Sequence, residues 1–90
     1  MIEKIFKYEI PLMQGPFDIE LPQGAEILFI ELQHGKPTLW CKFTPGERIE
    51  IRQFIGVATG EDYNPKGLRY IGSLLYGDGV LIYHYFEKLT

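Results

Sequence analysis

The sequence predicts an all-β fold, a small antiparallel β-sandwich or partly open barrel of about seven short strands. The strands are expected to run as a meander followed by a C-terminal hairpin. Three observations carry this. Apolar residues recur with period two along most of the chain, which is the strand period. Turn-forming Gly and Pro residues interrupt that pattern about every 8–12 residues. Helical spacing is nearly absent; only residues 45–54 approach it, and the β-branched Ile49 and Ile51 resist it.

In Phe6-Lys7-Tyr8-Glu9-Ile10 the rings and Ile10 share one face and the charges share the other. Pro11 removes a backbone donor, so this strand ends there or lies at a sheet edge. Phe17-Asp18-Ile19-Glu20-Leu21 alternates in the same way, and Pro22-Gln23-Gly24 closes it with turn chemistry. Residues 26–33 contain Ile27-Leu28-Phe29-Ile30, apolar on both faces. Such a strand needs cover on both sides, from a central position or from a partner. His34-Gly35-Lys36-Pro37 reads as a hairpin connection with Gly35 able to take positive φ. Residues 38–43 form the next strand, and Thr44-Pro45-Gly46-Glu47 turns out of it.

Residues 48–54 set Ile49 and Ile51 against Glu50 and Arg52, a half-exposed strand. Residues 56–67 then break the rhythm with small, polar and turn-forming side chains, over a length above the usual connection. A long loop in a compact domain is a mobile connector or the place where function sits. The strand pattern returns over residues 70–76. Gly77-Asp78-Gly79 turns the chain, and residues 80–86 pair back with Val80, Ile82, His84 and Phe86 in alternation.

Ninety residues are expected to make one domain, 1–90, and a chain this short buries only about 60–65% of its unfolded surface. An aromatic fraction of 14% is high for that size, and surplus rings fill a thin core or complete it against a second copy. The net charge of -3, with no basic run, argues against general nucleic-acid binding. No apolar run approaches the about 20 residues that cross a bilayer, and Met1-Ile2-Glu3-Lys4 lacks the pattern of a signal peptide. The cytoplasm is the expected location.

Catalytic chemistry finds little support in the residues. Ser73 is the single serine and lies in a strand without nucleophile-elbow glycines, so no catalytic residue is assigned. His34 and His84 with one cysteine do not supply the three or four closely spaced ligands of a zinc site, and no metal or cofactor is expected. Cys41 shares a face with Leu39 and Phe43 and reads as a buried small hydrophobe. Glu61 and Asp62 read as solvated loop carboxylates. The loop lacks a phosphate-binding signature, although Lys66 and Arg69 beside small residues offer an anion some positive charge. Trp40 points away from the face of Leu39 and Cys41, and Tyr83 and Tyr85 point away from His84 and Phe86. Rings on a second face close another core layer, meet a partner, or stack on a planar ligand.

Lys7-Tyr8, Ile19-Glu20-Leu21-Pro22, Gly24-Ala25-Glu26-Ile27-Leu28, Gly35-Lys36-Pro37 and Leu39-Trp40 follow one another in a recognisable order. Arg52-Gln53-Phe54, Gly60, Tyr70-Ile71-Gly72-Ser73 and His84-Tyr85-Phe86-Glu87 continue it. In this the chain resembles a family of short uncharacterised proteins of bacteriophages and prophages, over nearly its whole length. The resemblance implies an accessory protein acting in the bacterial cytoplasm, binding a host protein to counter host defence or sequestering a nucleotide second messenger. It also draws attention to Arg52 and His84 as polar members of the pattern.

The resulting expectation is a non-enzymatic, self-associating binding module for a host macromolecule, a homodimer, acting through ring-rich faces and the 56–67 loop. The residues expected to bind are Trp40, Arg52, Thr59, Tyr63, Lys66, Arg69, Tyr83 and His84. The alternatives are a nucleotide binder, with Arg52, Lys66 or Arg69 on phosphate and Trp40 or Tyr63 on the base, and a minor structural component of the virion.

Overall fold

The computed structural model describes residues 1–12 and 14–89. The chain forms strands β1 (Lys4–Glu9), β2 (Gly15–Pro22), β3 (Glu26–Gln33), β4 (Lys36–Phe43), β5 (Ile49–Ala58), β6 (Leu68–Tyr76) and β7 (Leu81–Lys88), with no helix among the described residues. They build two antiparallel sheets, a three-stranded one in the order β1-β4-β3 and a four-stranded one in the order β2-β5-β7-β6. The predicted seven-stranded antiparallel sandwich is present, and the sheets do not close into a barrel.

The connections differ from the expected meander. Sequence neighbours pair in β3–β4 and β6–β7, but β1 pairs with β4 and β2 with β5. β1 and β2 lie in different layers, and residues 23–25 and 44–48 likewise carry the chain from one layer to the other instead of folding it back within a layer. Three extended residues span about 10 Å, which matches the spacing of packed sheets. Alternation alone therefore cannot distinguish an in-plane turn from a crossover.

Between the layers lies a core whose fully buried side chains are Leu21, Leu39, Cys41, Phe54, Leu74 and Tyr85. Phe17 stacks on Phe54 across β2 and β5 with centroids 5.7 Å apart, and meets Tyr85 edge-on at 6.1 Å. Tyr83 continues this row of rings to Tyr76, so Tyr83 and Tyr85 are core side chains on the inner face of β7. Burial pushes the Cys41 thiol up despite the nearby charge of Arg52, which leaves it a small apolar filler. At the β3–β4 hairpin both His34 (φ 51°) and Gly35 (φ 76°) take positive φ, as a two-residue type I′ turn requires.

The sheets meet closely where β6 passes β3. A bulge between Tyr70 and Gly72 shifts the register against β7, and Gly72 then faces Ile30. A Cβ at that position would lie 2.7 Å from Ile30 Cγ1, so the contact exists only because residue 72 has no side chain.

In β5 the inward side is the polar one at its start. Phe54 must face the core opposite Phe17, and the two-residue period then turns Arg52 and Glu50 inward and leaves Ile49 and Ile51 in solvent. The Tyr76 and Tyr85 hydroxyls are buried near one another without a hydrogen bond of acceptable geometry. Replacing Tyr85 by Phe removes an unsatisfied polar atom and keeps the ring. Thermal melts should place Tyr85→Phe level with the wild type or higher by up to about 1 kcal/mol, whereas a clear loss would reveal a bond the hydroxyl does make.

Candidate functional site

Residues 59–67 fold over the outer face of the second sheet. They cover Val57, which is only 3% exposed although its strand face points outward. Glu61 ties the loop down: its Oε1 accepts from the Ala58 backbone N–H and from Gln14 Nε2, each at 2.9 Å. The bond from Gln14, and then that from Ala58, hold the Glu61 carboxyl below its ordinary range, so it is anionic at neutral pH. Further along, Asn64 Oδ1 accepts from the Lys66 N–H and shapes the turn back into β6.

Under this loop, a recess of about 560 Å³ opens between β5, β6 and β7. Phe86 is its buried floor, with the Tyr63 ring 5.1 Å and the Tyr70 ring 5.5 Å from it, centroid to centroid. Tyr63 and Tyr70 remain 45% and 58% exposed, so two of the three rings are open to an incoming group.

Beside the rings runs a row of polar contacts: Tyr70 Oη to Ser73 Oγ at 2.6 Å, Ser73 Oγ to His84 Nδ1 at 2.7 Å, and His84 Nε2 to Thr59 Oγ1 at 2.7 Å. Cross-strand pairing of Ser73 with His84 sets the middle of this row, and the alternation of β7 turns His84 outward with Phe86. Thr59 is brought in by its own N–H, which donates to the Ile82 carbonyl at 3.1 Å. On the other side of Tyr63 a second recess, of about 450 Å³, is lined by Lys66, Lys88, Ile55 and Leu68 with the loop carboxylates.

Of the residues singled out from sequence, Thr59, Tyr63 and His84 come together in the first recess and Lys66 borders the second. Arg52 lies inside the sandwich. Its Nε and Nη2 donate to the two Glu87 oxygens at 2.6 and 2.9 Å, and its Nη1 donates to the Ala25 carbonyl at 2.5 Å. Arg69 donates to the same Glu87 carboxylate at 2.8 Å. Burial alone would raise the Glu87 carboxyl, but the bonds and charges of Arg52 and then Arg69 hold it below the usual range. Both arginines are thus engaged in joining the β2–β3 turn and β6 to the end of β7. Trp40 lies on the outer face of the other sheet, stacked on Phe29 at 4.8 Å, and Tyr83 is in the core row.

Over residues 1–90 the sequence matches the family model described as a domain of unknown function, DUF7352. The chain belongs to that family. No curated protein and no solved structure matches this DUF7352 chain.

Ser73, Tyr70 and Phe86 complete the recess but carried no sequence signal as site residues. A lone serine in a strand has no motif around it, and its bond to a histidine eleven positions away depends on the β6–β7 register. Glu87 was equally silent, because its partner Arg52 is 35 residues away in another strand.

Proposed function

We propose that this DUF7352 protein is a non-enzymatic binding module that receives a macromolecular partner on the loop face of its second sheet. One observation carries this reading: Tyr63 and Tyr70 stand open over the buried Phe86 ring, at the mouth of a recess made by the long loop. Rigid aromatic anchors beside a pocket are the usual centre of a protein interface. The Ser73–His84 pair supports binding over catalysis, because the other His84 nitrogen bonds the neutral Thr59 hydroxyl. A catalytic serine–histidine pair relies there on a carboxylate that stabilises the imidazolium.

The phage and prophage resemblance supports a role as an accessory protein acting on a host macromolecule in the bacterial cytoplasm. No helix of the described residues is long and apolar enough to cross a membrane. Self-association belongs to the same reading, through the exposed Phe29 ring stacked on Trp40, with Ile5 exposed on that face of the first sheet. Light scattering at high protein concentration is expected to give the mass of a dimer, and a monomer there would remove this part. A phosphate-bearing ligand is disfavoured, since Arg52 and Arg69 are committed to Glu87 and Trp40 lies on the other sheet.

A peptide-display selection on the folded protein tests the proposal. Enriched sequences should bind the wild type and lose most of their affinity for Tyr63→Ala, a substitution at an exposed loop position that leaves the melting temperature nearly unchanged. Binders that hold equally to both proteins would place the interaction elsewhere and sink the loop-face reading.

A further inference from the structure

The polar row of the recess can run in either of two directions, and the Ile82 carbonyl at its end favours one of them. The Ile82 carbonyl only accepts, and the Thr59 hydroxyl, 3.5 Å away, is oriented to donate to it in a long contact. In the direction that this contact favours, Thr59 Oγ1 receives a proton from His84 Nε2, the arrangement of the Nε2–H tautomer. Nδ1 is left as an acceptor and takes the Ser73 proton, and Ser73 Oγ in turn accepts from the Tyr70 hydroxyl. The opposite direction would leave the Tyr70 proton without a partner in the row and the Ile82 contact unmade. In the favoured direction all the protons of the row are used internally. What Tyr70, Ser73 and Thr59 still offer an incoming group is lone pairs.

The rest of the lining agrees. No lysine or arginine lines the recess, and its one carboxylate is Glu61, whose Oε2 makes no hydrogen bond or ion pair among the described residues. The walls are the faces and edges of Tyr63, Tyr70 and Phe86, whose π-clouds attract a cation within about 6 Å of a ring centroid. Lys66, the nearby loop cation, borders the second recess and not this one. Rings, oxygen acceptors and one carboxylate, with no lysine or arginine, are complementary to an organic cation.

We propose that the recess binds the ammonium or guanidinium group of a lysine or arginine side chain presented by the partner. This rests on the loop-face binding reading and specifies its chemistry. The cation would sit against the Tyr63 and Tyr70 rings, donate to the Ser73 and Thr59 oxygens, and pair with Glu61.

The test uses the full ¹⁵N-labelled chain and capped pentapeptides with a central lysine, arginine, norleucine, citrulline or glutamate, followed by amide shift changes. Lysine and arginine peptides are expected to move the Gly60, Tyr63 and Ser73 amides at the lowest concentrations. Glu61→Gln, which keeps an oxygen for the Ala58 N–H, should weaken them roughly two- to fivefold, and Tyr63→Ala by roughly the same factor. Unchanged melting temperatures show that both variants are folded. Norleucine and citrulline peptides binding as well as the charged ones would overturn the cation assignment while leaving a binding recess. Lysine binding indifferent to both substitutions would place the cation elsewhere and also overturn it. Preference for the glutamate peptide would reverse its sign, and no shift in the recess from any peptide would bring down the loop-face reading with it.

Discussion

Replacing Arg52 with alanine is expected to destabilise the protein by about 3–5 kcal/mol, because it strands a buried carboxylate. The side chains of Arg52 and Glu87 are 14% and 6% exposed, and their bidentate contact is short. Arg69 cannot compensate: its side chain is 56% exposed and it reaches one Glu87 oxygen only. Loss of Arg52 also leaves the Ala25 carbonyl without its donor. In a domain of this size each kcal/mol lowers the melting temperature by about 4–8 °C, so the effect is readily seen in a thermal melt. Removing both charges, in Arg52→Met with Glu87→Leu, should recover most of the loss, since an apolar replacement of a buried pair is often neutral or better. A double variant as unstable as Arg52→Ala would mean that the pair does more than satisfy itself.

Acid should weaken the same contact. The Glu87 carboxyl is held below its ordinary value, about 4.3 for an unperturbed glutamate. A depressed carboxylate lends stability that is fully present above the ordinary value and disappears as the pH falls through the lower, folded one. Denaturant melts of the wild type should therefore lose stability below about pH 4. The Glu87→Gln variant should lack that component of the decline, and an identical pH profile would show that Glu87 is not its source.

The second large effect concerns the meeting of the sheets. Gly72→Ala places a methyl group 2.7 Å from Ile30 Cγ1, and Ile30 is itself buried. Overpacking of this kind costs about 1–3 kcal/mol. Ile30→Ala alone opens a cavity and costs about 2–5 kcal/mol. Combined, the two should cost clearly less than their sum, because each relieves what the other disturbs. Strict additivity in urea melts would show that β6 and β3 do not press together at this point.

Strand positions and the inward face of β2 could be read from the two-residue period, as in Phe17, Ile19 and Leu21. On β7 the period put Tyr83 and Tyr85 on one face without saying which, and Tyr83 is a core ring instead of the expected binding residue. Pro11 correctly marked the end of an edge strand. The period failed to orient β5, where Ile49 and Ile51 look like core residues and are exposed. There the packing of Phe54 decides the face, and the inward charges are tolerated only because Glu87 arrives from β7. Strand partners were hidden for a similar reason: alternation describes one strand at a time, while pairing is a property of two.

The site was readable as a place but not as a set of residues. An overlong stretch with Thr59 and Tyr63 pointed to the loop face, and His84, a polar member of the last strand's pattern, faces outward beneath it. Ser73 and Tyr70 join them through a bulge and a cross-strand register that no local pattern announces.

The central claim is that a one-directional row of hydrogen bonds gives the recess its acceptor character. Long-range ¹H–¹⁵N correlation of the His84 imidazole, at a pH where the ring is neutral, tests this most directly. The Nε2 resonance is predicted to be that of a protonated nitrogen and Nδ1 that of an acceptor. The reverse assignment would turn the row around, leave the Tyr70 hydroxyl as a donor facing the recess, and contradict the account.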